Sequence, residues 1–451
     1  MVKSPSTIKI SYFTIIILLV TFCSCKKQEA SINHTEKTRL EKWTEDIIYF
    51  EDEFLNNAKT YTEDSEDSCK AILTDLKTKI DKLSDFQIQL ELSKCVVMAN
   101  NAHTTLPLPL MDKIPVRFHR FSDGIYIVKT DSLSSRHLGS KVLKINSVDV
   151  SKVEKSLFPY LSGIDGWKKF KTLNLITTPK ILHEIGISNK DSLTLSLLKN
   201  NDTLEVSFAG QKIKNDRYWF ESWANLYPIP TNENSWSFIK KNTENLPLYL
   251  KNAEEGVFYS FNDTEKIAYF HINSFWDKCP DFKGKINDFA NVLKTKTDYN
   301  VVIDLRFYTG GNYGFVTELA TKPPKIINDD KKIYLITSNK TYSAGIVTAA
   351  RIKHYAKDKI VIVGEEVGDR LKFWAESVPC TLPNSGITIY NSQEEHDWKD
   401  NKRNIFRTHF PNFFHGVAAK NLNIDKEIKI SFEEYLENKD PIIEWIINQN
   451  Q

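Results

Sequence analysis

The sequence has few of the residues that mark specialised, non-globular proteins. Among its 451 residues there are only 16 glycines and 6 cysteines. A collagen-like chain and a disulfide scaffold are therefore excluded, since they need far more glycine or cysteine. Hydrophobic residues make up 41% of the chain and charged residues 26%. This is an ordinary globular composition, and the length predicts two or three domains, each with its own core.

The sequence also lacks an excess of charge of one sign. Its 60 basic and 58 acidic residues give a formal net charge of +2. A nucleic-acid partner would normally require a basic patch or stripe, so none is expected here. No internal repeat or low-complexity segment is visible either.

The one long apolar run lies near the start, at residues 10–22, and follows Lys3 and Lys9. A positive segment and an apolar stretch of this length predict a secretory signal over residues 1–24. The run is shorter than the roughly 20 residues of a transmembrane helix. The Ser-Cys pair that ends at Cys25 resembles a bacterial lipobox, which implies that Cys25 is lipidated. An uncleaved anchor and a soluble secreted protein are the alternatives.

Removal of the signal discards two of the 60 basic residues and leaves a formally neutral body. Surface charge would then contribute little to membrane binding, and attachment would depend on the lipid at Cys25. We expect an exported bacterial membrane lipoprotein, in the outer membrane and facing the periplasm or the cell surface. Residues 25–36 are polar and predict a tether.

Four cysteines follow the lipobox, and an exported protein can join them in disulfides. They allow three pairings, and free thiols are an equal alternative. Their spacing is too wide and irregular for a zinc module, and the sequence implies no metal or organic cofactor. The four are Cys69, Cys95, Cys279 and Cys380.

The chain between residues 37 and 104 predicts a helical N-terminal domain. Apolar residues recur at intervals of three and four between Leu40 and Phe54, as in an amphipathic helix. A second helix is expected over residues 65–83. Ser84 and Gln87 have the form of a capping box, which should start a third helix.

A β-rich domain is predicted over residues 105–212. Residues 125–128 are a strand after an Asp-Gly turn, and residues 193–197 and 204–208 suggest a hairpin. The glycine turn and alternating strand over residues 138–146 resemble the middle of a PDZ domain, a fold that binds peptides by strand addition. A generic β-rich domain is the alternative.

After a linker over residues 213–254 the pattern becomes α/β. Strands are predicted over residues 266–272, 300–305, 332–337 and 360–363, with helices over 282–295 and 343–355. This alternation indicates βαβ units and a mainly parallel sheet in a domain over 255–451. The whole chain is therefore expected to be an α+β multidomain protein.

Three segments of the last domain together carry a family resemblance. They are residues 301–312, which end at a Gly-Gly turn, residues 335–345, and residues 362–368. In this order and spacing they resemble the tail-specific, or C-terminal processing, serine peptidases, including tricorn-core and retinoid-binding relatives. The resemblance covers roughly residues 95–450 and implies a peptidase domain of the ClpP/crotonase-like α/β type.

Ser343 follows a predicted strand and stands at the first turn of a helix, where unpaired N–H groups can stabilise an anion. The family has its nucleophile at this position, so the resemblance implies nucleophilic chemistry for Ser343. It also implies oxyanion-binding amides at Gly310, Gly311 and Ala344. A simple N-cap role for Ser343 is the alternative, since serine is favoured there.

A serine nucleophile needs a base. His103 ends a segment that resembles the Asp-x-His-Thr of the His-using branch of the family, with Asn101 in place of the aspartate. Another branch uses a lysine base, and Lys372 is the alternative here, although Val367 and Asp369 depart from that branch's pattern. A histidine with only a structural role at a helix end is a further alternative for His103.

The third member of a triad is expected to be Glu376. An extended segment over residues 371–376 would put Lys372, Trp374 and Glu376 on one face, and a carboxylate there could orient the base. Glu365 and a plain surface charge are alternatives.

Other residues around the glycine turn are expected to be structural. Asp304 and Arg306 should pair with each other. Tyr308, Tyr313 and Trp374 line either a substrate groove or the core.

The resemblance implies a lipid-anchored serine endopeptidase that cleaves polypeptides by acyl-enzyme chemistry, with no nucleic-acid partner. The departures at Asn101, Val367 and Asp369 favour an alternative, a catalytically inactive family member that binds peptides or ligands. The sequence does not indicate an oligomeric state.

Overall fold

A computed structural model of the chain describes residues 36–109, 111–212, 224–228, 236–273, 279 and 281–449. The predicted signal, Cys25 and nearly all of the predicted tether lie outside these ranges. None of the helices within them is both long and apolar enough to cross a membrane.

Three helices and two short helical turns open the described chain. Capping boxes at Thr62 and Ser84 begin the second and third helices, which confirms the expected start at Ser84. A disulfide joins Cys69 to Cys95 and so links these two helices, while Cys279 and Cys380 are free thiols. The helices are α1 (Arg39–Tyr49), α2 (Glu63–Lys77) and α3 (Asp85–Val97), with a π-helical turn at Phe50–Leu55 and a 3-10 turn at Ile80–Lys82.

The core under these helices is completed from a distant part of the chain. Apolar side chains such as Ile47, Phe54 and Leu92 pack together and meet Leu382 and Ile389. The helices are therefore held against a late hairpin rather than folded on themselves, and the residues that follow α3 lie close to that hairpin.

An antiparallel sheet comes next, in the strand order β1-β2-β3-β5-β6, with β4 paired to β3 and β7 to β2. The strand expected at 125–128 and the hairpin expected at 193–208 are confirmed. The strands are β1 (Val116–Phe121), β2 (Gly124–Asp131), β3 (Lys141–Ile145), β4 (Val148–Asp149), β5 (Ser192–Lys199), β6 (Asp202–Ala209) and β7 (Trp236–Phe238). The helices between them are α4 (Val150–Leu157), α5 (Asp165–Leu175) and α6 (Pro179–Glu184).

The second large sheet has six strands, all parallel except the edge strand β8. Its middle strands are buried along nearly their whole length, as expected of strands covered on both faces. The predicted mainly parallel sheet is confirmed. In spatial order the strands are β15 (Lys426–Glu427), β12 (Ile360–Gly364), β11 (Ile333–Thr337), β10 (Asn300–Asp304), β9 (Ile267–Ile272) and β8 (Val257–Asn262).

Helices and one long hairpin complete the chain. The hairpin, β13 (Lys372–Thr381) with β14 (Thr388–Asp397), forms a separate two-stranded sheet, and Tyr390 on it makes a β-bridge to Thr105. The helices are α7 (Phe282–Leu293), α8 (Thr317–Thr321), α9 (Pro323–Ile326), α10 (Ala344–Ala356), α11 (Asn412–His415), α12 (Phe432–Leu436) and α13 (Pro441–Asn448).

A buried ion-pair network ties the last helix to the end of β10. The Arg306 guanidinium donates to Asp304 at 3.0 Å and to Asp440, the N-cap of α13, at 2.9 Å. Tyr269 donates to the second oxygen of Asp304. The expected structural pairing of Asp304 with Arg306 is confirmed, and Asp440 extends it.

Candidate active site

Ser343 occupies the turn between β11 and α10 in a backbone conformation that is rare for any residue except glycine, with φ 53° and ψ −119°. It stands at the N-cap position, yet its side chain makes no capping hydrogen bond. The capping alternative is therefore wrong for its hydroxyl. Such a conformation costs roughly 1–3 kcal/mol and persists only where the surroundings hold it.

The surroundings that hold this turn belong to the loop after β10. Tyr342 donates its amide to the Tyr308 carbonyl at 3.1 Å, and the Thr341 hydroxyl donates to the Leu305 carbonyl at 2.8 Å. A Cβ on Gly345 would lie 2.2 Å from the Tyr308 oxygen, far inside contact distance. Glycine is thus required at Gly345 to let the two backbones meet.

His103 lies directly against Ser343, although the two are 240 positions apart. Its Nε2 is 3.0 Å from the Ser343 Oγ, a hydrogen-bond distance. This is the arrangement in which an imidazole can accept the proton of a serine hydroxyl. The structure brings together the two residues that the sequence resemblance assigned as nucleophile and base.

The imidazole plane of His103 is set by aromatic rings on both sides. The Tyr342 ring stacks on the His103 ring with centroids 4.7 Å apart. The Phe373 ring also stacks on the His103 ring, with centroids 5.2 Å apart. Trp167 continues the stack beyond Tyr342, and His396 continues it beyond Phe373. Stacked rings oppose tilting, so the direction of Nε2 is held toward Ser343.

The environment keeps His103 neutral at ordinary pH. Burial, with a smaller contribution from the nearby imidazole of His396, lowers its pKa to about 3, while the negative charge of Glu376 acts in the opposite direction. A neutral imidazole has a lone pair free on one nitrogen, as a general base requires.

The loop that carries His103 is clamped by hydrogen bonds to the β13–β14 hairpin. The side-chain oxygen of Asn101 accepts from the backbone amide of Trp374 at 3.0 Å. The side-chain NH2 of Asn101 donates to the hydroxyls of Thr104 and Ser392, both at 3.1 Å. The side chain of Asn101 is buried. Asparagine in place of the family's aspartate therefore serves as an uncharged clamp, and a charge there would have no cationic partner in these contacts.

Gly310 and Gly311 follow β10 in the positive-φ region, with φ 150° and 123°. Within the described ranges, neither of their amides, nor that of Ala344 at the first turn of α10, donates to a protein acceptor. The contact of Tyr308 with the Ser343 turn brings this loop and the helix start together. Such free N–H groups can bind a developing oxyanion.

Glu376 interrupts the pairing of β13 with β14 in a left-handed conformation, φ 51°. Its carboxylate is half exposed and lies 3.6 Å from His396 Nε2 and 3.9 Å from His409 Nδ1. Interaction with His396, then with the charges of His409 and His103, holds its pKa below the usual value. It influences His103 by charge, whereas the buried His103 Nδ1 has no hydrogen-bond partner among the described residues.

Lys372 is not brought to Ser343. Its ammonium group is half exposed and forms an ion pair with Glu395 at 2.8 Å. A base must lie within hydrogen-bond reach of the proton it removes, and no contact joins Lys372 to Ser343 among the described residues. The alternative of Lys372 as the base is therefore corrected. The weaker alternative Glu365 acts electrostatically on Lys340 rather than on His103.

Two of the residues expected to line a groove or the core are buried. Tyr308 is fully buried, and Tyr313 donates from its buried hydroxyl to Asn412 at 2.7 Å. The half-buried Trp374 contributes its backbone amide to the clamp on the His103 loop. The core reading is thus correct for the two tyrosines.

His396 and His409 are site residues that the sequence reasoning missed. They lie 13 residues apart on β14 and the following loop, and neither fits a motif of the family. The signal that could have found them is the charged run Glu394-Glu395-His396, which lies on the strand that pairs with the strand of Glu376.

A cavity of about 720 Å³ opens beside His103. Its walls are mostly apolar and come from the end of α3, from the residues after it and from α5, with Lys171 as a cationic group whose pKa burial lowers to about 8. Tyr342 and Trp167 form part of the wall. A cavity of this size accommodates a few amino-acid side chains.

Comparison with family models and with curated protein sequences gave no match. Solved structures do match. Mature CPAF complexed with lactacystin is similar with a TM-score of 0.58 at 13% identity, over 91% of this chain and 98% of that chain. Another structure of mature CPAF gives 0.57 at 12% identity, over 91% of this chain and 96% of that chain.

The photosystem II D1 C-terminal processing protease is also similar over 87% of this chain and 93% of that chain, but at a TM-score of 0.35 and 10% identity. A TM-score this low does not establish a shared fold. The CPAF structures show that the chain has a mixed α/β fold like that of mature CPAF.

Proposed function

We propose that the protein is a serine endopeptidase that cleaves polypeptides through an acyl-enzyme. One observation carries this proposal: the Ser343 hydroxyl, on a strained turn and free of any capping role, lies 3.0 Å from Nε2 of a neutral His103. An N-terminal serine cap needs neither a histidine nor a strained backbone, whereas a nucleophile needs a base and an exposed oxygen.

In the first step His103 Nε2 accepts the Ser343 proton while the Ser343 oxygen attacks a peptide carbonyl. The resulting oxyanion would be bound by the amides of Ala344, Gly310 and Gly311. Loss of one such donor typically costs about 10²–10³ in kcat. Their lack of protein acceptors among the described residues supports this role.

The protonated His103 then delivers its proton to the leaving amine, and the acyl-enzyme is hydrolysed by a water that the same nitrogen deprotonates. Glu376 is the carboxylate whose charge favours the protonated ring. It is a positioning residue in this proposal and acts on the ring through its charge, since His103 Nδ1 has no hydrogen-bond partner among the described residues.

The substrate class follows from the same resemblance. We propose that the mostly apolar cavity beside His103 receives substrate side chains next to the scissile bond. We also propose that the antiparallel sheet β1–β7 is PDZ-like and binds an extended segment of the polypeptide by strand addition.

Export as a lipoprotein anchored through Cys25 is a further part of the proposal, with the enzyme facing the periplasm or the cell surface. The Cys69–Cys95 disulfide supports it, because such bonds persist in oxidising compartments. Mass spectrometry of protein extracted from membranes tests it: a diacyl or triacyl mass on a peptide that begins at Cys25 is expected, and an unmodified mature N-terminus would contradict it.

The activity is tested on an unfolded protein substrate with the full chain and with Ser343→Ala and His103→Ala. Both variants should lose at least about 10³-fold in kcat, since nucleophile and base act as a unit. Ser135→Ala changes an exposed serine that is distant in sequence from Ser343. It is the matched control and should cleave normally. Equal cleavage by wild type and Ser343→Ala would overturn the proposal.

A serine-reactive phosphonate separates the peptidase from the alternative of an inactive binding protein. The lack of a hydrogen-bonded carboxylate on His103 Nδ1 is the observation that favours this alternative. Labelling of wild type and not of Ser343→Ala is expected for the peptidase. If neither protein is labelled, the binding role is preferred.

A further inference from the structure

Beyond the Ser343–His103 pair, three side chains converge with the geometry of metal ligands. We call Glu376, His396 and His409 the histidine–glutamate cluster. The carboxylate of Glu376 is 3.6 Å from His396 Nε2 and 3.9 Å from His409 Nδ1. One ligand atom from each lies within 4.8 Å of the other two. Ligands around a tetrahedral zinc ion stand roughly 3.3–3.5 Å apart, as follows from bonds of about 2.1 Å.

The second observation is an unsatisfied nitrogen aimed into the cluster. His396 is 2% exposed, and its Nε2 has no hydrogen-bond partner among the described residues. A buried polar atom without a partner costs about 1–3 kcal/mol, so it is rare unless a ligand satisfies it. Phe373 stacks on the ring and holds this nitrogen in place. His409 also stacks on the ring, with 20° between the two planes, so the His409 ring must turn for both nitrogens to reach one ion.

The outer contact of His396 can adapt to coordination. Its other ring nitrogen, Nδ1, lies 3.4 Å from the Asn412 side-chain NH2, and the Asn412 side-chain oxygen accepts from the Tyr313 hydroxyl. This orientation makes Nδ1 an acceptor and leaves the proton on Nε2, so metal binding requires the amide to rotate by 180°, with its oxygen then facing Nδ1–H and its NH2 facing the Tyr313 oxygen. Metal-bound histidines almost always make such an outer hydrogen bond, which sets the tautomer and leaves Nε2 free for the metal.

A fourth candidate ligand lies beside the third. Glu394 Oε2 is 2.5 Å from His409 Nδ1, so a metal that takes this nitrogen replaces the proton that the two side chains share, and the carboxylate can then turn to the ion. Glu376 is half exposed and provides a route from solvent to the buried His396. Two imidazoles and two carboxylates are a ligand set that suits zinc in tetrahedral geometry.

We propose that the histidine–glutamate cluster, with Glu394, binds a divalent transition-metal ion of the zinc class, and that the bound ion inhibits peptide cleavage. The inhibition rests on the proposed function. Phe373 stacks on both His103 and His396, so an ion on His396 lies one ring away from the base. A coordinated Glu376 no longer supplies the negative charge that favours protonated His103, and the ion adds positive charge. Metal binding itself requires only the cluster.

Binding is measured first, by calorimetry with Zn²⁺ alone on untagged, chelator-treated full chain. We expect one ion per chain in both wild type and Ser343→Ala. The affinity for Zn²⁺ should fall about 100-fold or more in His409→Ala. This variant loses a ligand, and loss of a residue that only hydrogen-bonds to a ligand already lowers metal affinity about 10–100-fold. His415→Ala, at an exposed histidine that ends the nearby helix α11, is the matched control and should bind as wild type does.

Failure to bind, or equal binding by wild type and His409→Ala, would overturn the site. To exclude a folding defect, the melting temperature of each variant is measured without metal, and Glu394→Gln serves as a second, partly exposed ligand variant that should also weaken binding. Co²⁺ provides an independent readout: wild type should show the intense visible bands of a tetrahedral complex, and His409→Ala should not.

Inhibition is then measured relative to each protein's own metal-free rate. Zn²⁺ should lower wild-type cleavage at least about tenfold, within the range that proton transfer contributes, and a chelator should restore it. The inhibition should be largely lost in His409→Ala. Binding without inhibition would overturn the regulatory part alone. If no variant cleaves substrate, the proposed function fails, while the calorimetry still decides the site.

Discussion

Ser343 and His103 meet at 3.0 Å but are held by different kinds of structure. The serine stands between two adjacent elements of the parallel sheet, and its turn is locked by backbone contacts with the loop after β10. The histidine stands on a loop after α3, held by hydrogen bonds to the β13–β14 hairpin and by stacked rings. The serine side of the pair therefore belongs to the core of the parallel sheet. The histidine side is held between segments that are distant in the chain.

This difference has a consequence for how each side tolerates change. Damage to the serine side strains the core, so stability and activity should fall together. Damage to the histidine side releases a loop, so activity should fall more than stability. The following predictions test this contrast, from the largest expected effect to the smallest.

Arg306→Ala should have the largest effect, because it leaves Asp304 and Asp440 buried without their cationic partner. Breaking a buried pair in this way costs about 3–5 kcal/mol. Urea unfolding measures the loss. Lys439→Ala removes an exposed, solvent-screened pair with Glu437 and should leave stability nearly unchanged. Similar losses in the two variants would contradict the core role of Arg306.

Gly345→Ala should disturb the serine side directly, since the new Cβ would lie 2.2 Å from the Tyr308 carbonyl oxygen. Overpacking of this kind costs about 1–3 kcal/mol, and a shift near 1 Å at a reacting group can cost about 10²-fold in rate. Thermal unfolding and kcat/KM are measured together. Gly210→Ala, where the nearest atoms are at 3.4 Å, should change neither. A fully active Gly345→Ala enzyme would argue against the close-packed turn.

Asn101→Ala should disturb the histidine side. It removes the acceptor of the Trp374 amide and two side-chain hydrogen bonds. We expect a loss of stability of about 1–3 kcal/mol and a larger relative loss of kcat, about tenfold or more, because proton transfer depends on the position of His103. Asn291→Ala, at an exposed asparagine on α7, is the control. A stability loss with kcat unchanged would show that Asn101 does not position the base.

The smallest effect is expected in the pH profile. Burial lowers the pKa of His103 to about 3, so the neutral base is kept, and the acid limb of kcat/KM should lie well below the ordinary histidine value of about 6.5. Glu376→Gln should move that limb lower still, because the Glu376 charge raises this pKa while His396 and Lys171 lower it. Glu437→Gln should not move it. A limb near 6.5 would mean that His103 is solvated.

The lowered pKa of His103 also determines the direction in which stability changes with pH. The folded-state pKa lies below the unfolded one, so the unfolded chain binds the proton first as pH falls. Stability from this group is complete above about pH 6.5 and declines between about 6.5 and 3. Urea unfolding at several pH values should therefore show a smaller decline in His103→Gln than in wild type.

Much of the local structure could be predicted because it depends on neighbouring residues. Apolar runs marked the strands of the parallel sheet, and the Ser84 capping box marked the start of α3. The turn at Ser343 could be placed for the same reason, between a buried strand and a helix. Its strained φ of 53° could not, since it results from contacts with Tyr308.

The direction of the Glu376 side chain shows where a local sequence pattern fails. Alternation along a strand predicts that Lys372 and Glu376 point the same way. The left-handed φ at Glu376 breaks the alternation, and its carboxylate meets His396 and His409, while Lys372 pairs with Glu395. A single backbone angle, set by packing, decided which charge came near the base.

By itself the sequence determined the strands and helices, the mainly parallel sheet and the glycine-rich turn near a helix-starting serine, because these follow from patterns within about a dozen residues. Only the tertiary structure decided that His103 rather than Lys372 meets Ser343, that Cys69 pairs with Cys95, and that two unremarked histidines converge on Glu376. Those contacts join residues far apart in the chain, and they exist only once the hairpin β13–β14, the N-terminal helices and the parallel sheet have packed together.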